Sequence, residues 1–126
     1  MLDRLDLQIE VPALTSGELL EAGNGEPSAL VRARVLAARE RQARRGATNA
    51  LLPNAALRAH CALDPAGERL VADAIDRGGM SARAVHRALR VARTIADLAG
   101  GEHVTARALA EALHYRTYET RRTAVD

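Results

Sequence analysis

The residue with the clearest chemical potential is Arg83, which stands near the start of a stretch predicted to be helical, Ser81–Gly100. Ser81 is a natural N-cap, and Gly100 with Gly101 supplies a C-terminal stop. A cation in the first turn meets the positive end of the helix dipole, at a cost of roughly a few tenths of a kcal/mol. Two explanations are open: an anionic ligand that neutralises Arg83, or an exposed arginine that tolerates this small cost.

Drawn as a helix, the same stretch separates into two faces. Apolar residues recur at spacings of three and four and predict a face that packs into a core: Val85, Ala88, Leu89, Ala92, Ile95, Ala96 and Ala99. The opposite, polar face comprises Arg83, His86, Arg87, Arg90, Arg93, Thr94 and Asp97. We therefore expect this helix to organise the fold, with its charged side chains turned away from the core.

Other residue combinations that carry chemistry are missing from the sequence. It contains no GxxxxGK[ST] phosphate-binding loop, and Cys61 has no second cysteine to pair with. The four histidines are too scattered to suggest a zinc site: His60, His86, His103 and His114. Ser81 is better explained as a helix cap than as a nucleophile. We therefore expect no metal site and no catalysis by this chain alone.

The composition limits the class of protein. The chain has 126 residues, of which 48% are hydrophobic, with two Tyr and no Phe or Trp. This length is typical of one domain, and such a core requires closely packed helices. The formal net charge of +2 does not demand a polyanionic partner. A single cysteine, a charged N-terminus and the lack of a long apolar run predict a soluble, cytoplasmic protein.

The remaining pattern predicts an all-α fold, a small helical bundle preceded by one N-terminal β-strand. Leu5, Leu7, Ile9 and Val11 alternate with polar residues up to Pro12, which is typical of a strand. Because an isolated strand is unstable and no second strand is predicted, we expect it to belong to a sheet in a larger protein. Helices are predicted over Ser16–Ala22, Ser28–Arg45, Pro53–Cys61, Pro65–Arg77, Ser81–Ala99 and Thr105–His114.

The helix predicted over Ser28–Arg45 is the most basic, with six arginines against Glu40. Its apolar seam is Val31, Val35, Ala38 and Gln42. Such a run of charge is more typical of a solvated face than of a DNA-binding site. After the last helix, the polar stretch 116–126 has no apolar periodicity and is predicted to be a disordered tail.

With these elements in order, the chain resembles the C-terminal part of magnesium-chelatase-related AAA+ ATPases, especially the competence protein ComM type. Four segments carry the resemblance: Leu2–Pro12, Val31–Gln42, Ser81–Gly100 and Ala108–Arg116. The resemblance implies that residues 13–115 form the helical lid domain of such an ATPase. It also implies that residues 1–12 are the last strand of the nucleotide-binding core.

The resemblance further implies roles for individual residues. Asp3 and Arg4 lie just before that last strand, where Arg4 matches an arginine finger that reaches the γ-phosphate in a neighbouring subunit. Arg83, in the motif Ser81-Ala82-Arg83, matches the sensor-2 arginine, which contacts ATP bound to its own subunit. The implied cofactors of the longer protein are ATP and Mg²⁺. Its implied partners are the neighbouring subunits of a homo-oligomeric ring, a hexamer, and DNA.

Three functions compete on this basis. The first is the lid of an AAA+ motor that drives DNA branch migration in recombination. The second is the lid of the ATPase subunit of a true magnesium chelatase, and the third is a free-standing, Arg-rich helical module that binds nucleic acid directly. The Walker motifs of the family would lie upstream of Leu2, so ATP hydrolysis is expected of the longer protein and not of this chain.

Overall fold

A computed structural model of the chain describes residues 5–21 and 25–116, and every regular element in these ranges is helical. The α-helices are α1 (Ser16–Leu20), α2 (Ser28–Arg44), α3 (Asn54–His60), α4 (Pro65–Asp76), α5 (Ala82–Leu98) and α6 (Ala106–His114). One turn of 3-10 helix, Asn49–Leu51, lies between α2 and α3. The predicted all-α class is confirmed, and the helices begin and end close to the predicted positions.

Side-chain caps define most of the helix starts. Asp64 and Thr105 cap α4 and α6, each accepting a hydrogen bond from a backbone N–H of the first turn. α2 differs, because Pro27 occupies its N-cap and Ser28 is already the first helical residue. Ser28 therefore begins the helix, in agreement with the predicted range, but does not cap it.

The core forms around α5, against which α2, α3, α6 and the 3-10 turn pack, while α4 packs on α6. Its central cluster is made mainly of small side chains: Leu57, Cys61, Ala92, Val104, Leu109 and Ala112. Alanine at these positions allows the helix backbones to approach closely, which compensates for the missing large aromatic residues. The apolar stripes of α5 and α6 meet in this core, whereas those of α2 and α4 reach it only in part, since Val31, Val35 and Ile75 are exposed.

The seam of α2 is buried over only half of its length. Ala38 and Gln42 are 3% and 7% exposed and face the bundle, whereas Val31 and Val35 are 39% and 42% exposed. The N-terminal half of α2 therefore extends beyond the helices that cover its C-terminal half.

No β-strand forms within the described part of the N-terminal segment, residues 5–12, so the prediction of a strand is not supported. A strand requires a neighbouring edge with which to exchange backbone hydrogen bonds, and the bundle presents only helices here. Instead, the segment lies against the bundle, where the Gln8 N–H donates to the carbonyl oxygen of Tyr115 at 3.1 Å.

The predicted tail begins at Arg116, and this residue is buried, with 5% of its surface exposed. The order of the bundle therefore extends at least one residue past Tyr115. The remainder of the predicted tail, residues 117–126, lies outside the described residues.

Candidate functional site

Arg83 occupies the second position of α5, in the first turn, and is exposed. The Ser81 hydroxyl caps this turn by accepting the N–H of Ala84 at 3.1 Å. Among residues 5–21 and 25–116, no acidic side chain forms an ion pair with Arg83. The cation in the first turn is therefore accessible, and nothing in the described chain neutralises it.

The other end of α5 is fixed by a buried group of charges around Asp97, which is 1% exposed. The Arg45 guanidinium, at the end of α2, donates to both carboxylate oxygens of Asp97. The side-chain amide of Asn49 donates to the same carboxylate at 2.9 Å, and the Nε of Arg93 donates to it at 3.2 Å. These bonds join α5 to α2 and to the 3-10 turn. We refer to Arg45, Asn49, Arg93 and Asp97 as the Asp97 cluster.

Arg93 extends the Asp97 cluster to two further parts of the fold. Its guanidinium donates to the carbonyl oxygens of His60 at 3.1 Å, Glu102 at 2.9 Å and Gly101 at 2.8 Å. The side chain is only 2% exposed, so its charge is balanced by Asp97 and by these carbonyl dipoles. Arg93 thereby holds the end of α3 and the loop after α5 against the middle of α5.

The pKa of Asp97 reflects opposing effects of burial and hydrogen bonding. Burial acts to raise the pKa of this carboxyl. The hydrogen bonds from Arg45 and Asn49 and the charge of Arg93 outweigh burial, so the pKa of Asp97 lies below its ordinary value. The carboxylate is therefore ionised at neutral pH and is the shared counterion of Arg45 and Arg93.

The Asp97 cluster corrects the assignment of the polar face of α5. Arg93 and Asp97 are buried, although their positions predicted that they would point away from the core. The available signal was the spacing of four between two opposite charges at the edge of the alanine stripe. The same spacing also occurs in exposed pairs of this chain, so the sequence does not reveal that α2 and the 3-10 turn cover this edge.

A second ionic contact joins the N-terminal segment to α5 and α6. The Nε of Arg87 donates to the Asp6 carboxylate at 2.7 Å, and the Nη1 of Arg116 lies 3.8 Å from the same oxygen. Between the segment and α5 lies an open cleft of about 470 Å³, lined mainly by the apolar side chains of Leu7, Ile9, Val91, Ile95 and Leu98. Arg87, predicted on the polar face, is thus held in an ion pair.

Among the arginines of α2 and its C-cap, three of six have acidic partners. Arg34 is paired with Glu26, Arg44 with Glu40 at 3.0 Å, and Arg45 with Asp97. Arg34 and Arg44 remain largely exposed, so these pairs contribute little to stability. Their arrangement supports the prediction that α2 presents a solvated, charged face.

Two of the predicted site residues, Asp3 and Arg4, lie outside the described residues, so of the three only Arg83 is described. Within the described ranges, no group of three or more His, Cys, Asp or Glu residues is arranged to hold a metal ion. No helix found in the same ranges has both the length and the apolar character needed to cross a membrane.

Residues 25–116 match the profile of a family described as "Magnesium chelatase, subunit ChlI C-terminal". This match covers every element from α2 to α6. The chain belongs to this family. Arg83 and the Asp97 cluster therefore lie inside the family domain, whereas the N-terminal segment with Asp6 precedes it.

Comparison with individual family relatives extends the similarity beyond the domain. The competence protein ComM of Haemophilus influenzae is 46% identical over 117 residues, which is 91% of this chain and 23% of ComM. The uncharacterized protein YifB of Salmonella typhimurium is 41% identical over 120 residues, or 94% of this chain and 24% of YifB. YifB of Escherichia coli is 40% identical with the same coverage.

The chain thus spans about a quarter of the length of these relatives. Their matches include 91% or more of the chain, whereas the family profile starts only at residue 25. The similarity to a ComM-type, magnesium-chelatase-related C-terminal domain, predicted from the four matching segments, is confirmed.

Proposed function

We propose that the domain is the helical lid of an AAA+ ATPase within a longer protein, and that Arg83 is its sensor-2 arginine. In this role Arg83 contacts a phosphate of ATP bound to the same subunit. The observation that carries the proposal is the accessible cation in the first turn of α5, which has no acidic partner among the described residues and lies in the Ser81-Ala82-Arg83 motif of a segment that resembles the family. A phosphate is the anion that would neutralise it.

The surroundings of Arg83 suit this role. The first turn of a helix is electrostatically positive and attracts anions, and a guanidinium can bind two phosphate oxygens with parallel hydrogen bonds. The Asp97 cluster fixes the far end of the helix. A rigid helix of 17 residues that is fixed in this way presents Arg83 at a defined position, which a phosphate contact requires.

The rest of the catalytic machinery would lie outside this chain. The Walker motifs, which bind ATP with Mg²⁺, belong to the part of the longer protein that this chain does not span. Arg4, with its neighbour Asp3, is proposed as the arginine finger that completes the site of the next subunit in a homo-oligomeric ring. Hydrolysis at one site would then require Arg83 of the subunit that binds the ATP and Arg4 of its neighbour.

For the activity of the longer protein we favour a DNA motor in the cytoplasm that drives branch migration in recombination. The support is the 46% identity to a protein named competence protein ComM. The runner-up is the ATPase subunit of a magnesium chelatase, which the description of the family supports. Stimulation of ATP turnover by branched DNA would favour the first function, and stimulation by a porphyrin with its chelatase partners would favour the second.

The role of Arg83 is tested in the longer protein by measuring ATP turnover. Arg83→Ala is expected to lower turnover by at least about tenfold, which corresponds to about 1.4 kcal/mol of transition-state stabilisation. Arg83→Lys keeps the charge but loses the paired hydrogen bonds, so it should restore activity only in part. The fold should survive both changes because Arg83 is exposed. Arg83→Ala in addition removes a cation from the positive end of the helix dipole.

The chain offers a closely matched control. Thr105-Ala106-Arg107-Ala108 at the start of α6 repeats the arrangement of Ser81-Ala82-Arg83-Ala84, with a capping hydroxyl followed by an exposed arginine at the second helical position. Arg107→Ala should leave ATP turnover unchanged. Equal activity of the Arg83→Ala and Arg107→Ala proteins would show that Arg83 does not contact the nucleotide.

A further inference from the structure

One exposed side of α2 combines apolar and basic side chains. Val35 and Leu36 are 42% and 55% exposed, although both are large and apolar. Arg32 and Arg39 flank them along the helix, are exposed, and form no ion pair in the described part of the chain. Spacings of three, four and seven residues put these four side chains on the same side of α2. We call them the α2 face.

A surface of opposite charge lies on α4, which packs on α6. Ala72 and Ile75, in the second half of α4, are exposed, Ile75 at 44%. Glu68 and Asp76 flank them along the helix and are also exposed, and neither forms an ion pair among the residues that the structure describes. Spacings of three, four and eight residues put these four side chains on one side of α4. We call them the α4 face.

The two faces match in charge and in dimensions. α2 contains five arginines and one glutamate, whereas α4 contains three acidic residues and one arginine. At a rise of about 1.5 Å per residue, Arg32 and Arg39 lie about 10.5 Å apart along the axis of α2. On the same basis, Glu68 and Asp76 lie about 12 Å apart along the axis of α4. Side by side, the two helices would pair each arginine with a carboxylate and enclose the apolar side chains between the two ion pairs.

A contact between the two faces requires two copies of the chain. Within one copy both faces are exposed, because α2 packs on α5 and α4 packs on α6. The faces differ from each other, so the α2 face of one copy would bind the α4 face of the next and leave a free face at either end of the pair. Such a heterologous contact repeats in one direction, and it closes into a ring when the rotation between neighbouring copies allows it.

We propose that the α2 face of each subunit docks on the α4 face of the next copy in the homo-oligomeric ring. The proposal rests on the ring proposed above and adds to it a direct contact between neighbouring family domains. Exposed ion pairs contribute little each, so one such contact holds two isolated domains only weakly. In the longer protein, other contacts between subunits raise the effective concentration of the two faces. Their complementary charges then fix which side of one domain meets the next.

Charge reversal in the longer protein tests the contact through ring assembly, measured by sedimentation velocity over a range of protein concentrations. Arg32→Glu with Arg39→Glu makes the α2 face acidic. Glu68→Arg with Asp76→Arg makes the α4 face basic. Because like charges then meet, each double variant should raise the concentration needed for half-assembly by about tenfold or more. The fourfold variant again has opposite charges on the two faces, as well as the net charge of the parent, and should assemble like it.

A matched control separates this contact from a general effect of net charge. Arg58→Glu with Arg107→Glu changes the net charge by as much as the α2 variant, at exposed positions outside both faces, and should assemble like the parent. Loss of assembly in the α2 variant alone would assign the α2 face to another part of the longer protein and overturn the inference. Failure of the fourfold variant to recover would also overturn it, and both results leave the ring standing. A parent protein that remains monomeric would overturn the ring and the inference together.

Disulfide trapping tests for direct contact in the 126-residue chain. Leu36→Cys with Ile75→Cys places one thiol on each face, and mild oxidation should link the copies into a ladder of dimers, trimers and larger species. Cys61 should not react, because it is buried and the pKa of its thiol is raised to about 11. Each single cysteine variant should give no species larger than a dimer. Addition of Arg32→Glu and Arg39→Glu should suppress the ladder. Absence of the ladder, or a ladder that this charge reversal leaves unchanged, would overturn the inference.

Discussion

Single residues in this domain show that the same spacing of charges can serve different purposes. Arg93 and Asp97 in α5, and Asp73 and Arg77 in α4, are both oppositely charged pairs separated by four positions. The side chains of Arg93 and Asp97 are 2% and 0% exposed, and this pair also bonds to neighbouring elements. The side chains of Arg77 and Asp73 are 85% and 62% exposed, and their charged atoms are 3.9 Å apart. Burial decides that only the first pair is a structural element.

Removal of the buried carboxylate should therefore be costly. Asp97→Ala leaves Arg45 and Arg93 without their common counterion, and loss of one partner from a buried ion pair typically costs about 3–5 kcal/mol. We expect the free energy of unfolding, measured by urea denaturation, to fall by an amount of this order. Asp73→Ala serves as the control and should change it by less than about 0.5 kcal/mol. Equal stability of the two variants would contradict the structural role of the Asp97 cluster.

The lowered pKa of Asp97 also predicts an acid dependence of stability. A carboxyl whose folded pKa lies below its unfolded value contributes stability above the unfolded pKa, near 3.8, and this contribution is lost as the pH falls through the folded pKa. Part of the free energy of unfolding should accordingly disappear below about pH 4. In Asp97→Asn, which cannot ionise, that part of the pH profile should be flatter.

Cys61 gives an independent measure of burial at the centre of the core. Burial raises the pKa of its thiol to about 11, mainly by desolvation, and the side chain lies against the carbonyl oxygen of Leu89. The reactive thiolate is therefore scarce at pH 8 in the folded protein. We expect a thiol reagent such as a disulfide dye to react slowly with the native chain and rapidly after unfolding in urea. Rapid reaction under native conditions would show that α5 and α6 do not cover this position.

At the scale of elements, α2 illustrates how one apolar seam can be partly core and partly surface. Ala38, in its C-terminal half, is 3% exposed, while Val35, three residues earlier, is 42% exposed. The two residues belong to the same stripe of the helix, so their difference arises from where the bundle ends. The stripe alone predicted that both would be buried.

Charge substitutions along this seam should therefore have unequal effects. Ala38→Glu buries an unpaired carboxylate and should lower the free energy of unfolding by several kcal/mol. This is a large part of the free energy of unfolding of a typical domain, which is roughly 5–15 kcal/mol. Val35→Glu places the charge in water and should change stability by less than about 1 kcal/mol. Thermal or urea denaturation of both variants checks this expectation. A severe effect of Val35→Glu would show that a second surface covers this half of α2 in solution.

For the molecule as a whole, the proposed function divides the ATP site between this domain and the rest of a longer protein. In that scheme Arg83 would supply one phosphate contact, and the sequence contains no phosphate-binding loop. A lone arginine competes with water for phosphate and gives only weak affinity. The domain therefore provides a rigid support for one contact, and binding strength must come from elsewhere in the protein.

The isolated chain should consequently bind ATP weakly and should not hydrolyse it. Isothermal titration calorimetry of the 126-residue chain with MgATP is expected to give no binding at micromolar concentrations, and a phosphate-release assay should give no turnover. Micromolar affinity that is lost in Arg83→Ala but kept in Arg107→Ala would show a complete nucleotide site within this chain and would overturn the lid assignment.

The sequence alone determined the helical segments and the family. Periodic alanine and leucine positions, the caps at Ser81 and Thr105 and the glycine after α5 are local signals, and local interactions fix where helices begin and end. The first-turn position of Arg83 follows from the same signals. Four matching segments were sufficient to indicate the magnesium-chelatase-related family, which the family profile confirmed.

Only the tertiary structure decided which faces are covered. It buried Arg93 and Asp97 because α2 and the 3-10 turn bring Arg45 and Asn49 to them from distant parts of the chain. It also placed the segment predicted to be a strand against α5 and the end of α6. No strand edge is available there, so the segment is held by the ion pair of Asp6 with Arg87 and by the hydrogen bond from Gln8 to Tyr115. The periodic spacing of apolar residues determines which residues share a face of a helix. Burial of that face depends on whether another element packs against it. Such packing is determined by contacts between residues that are far apart in sequence.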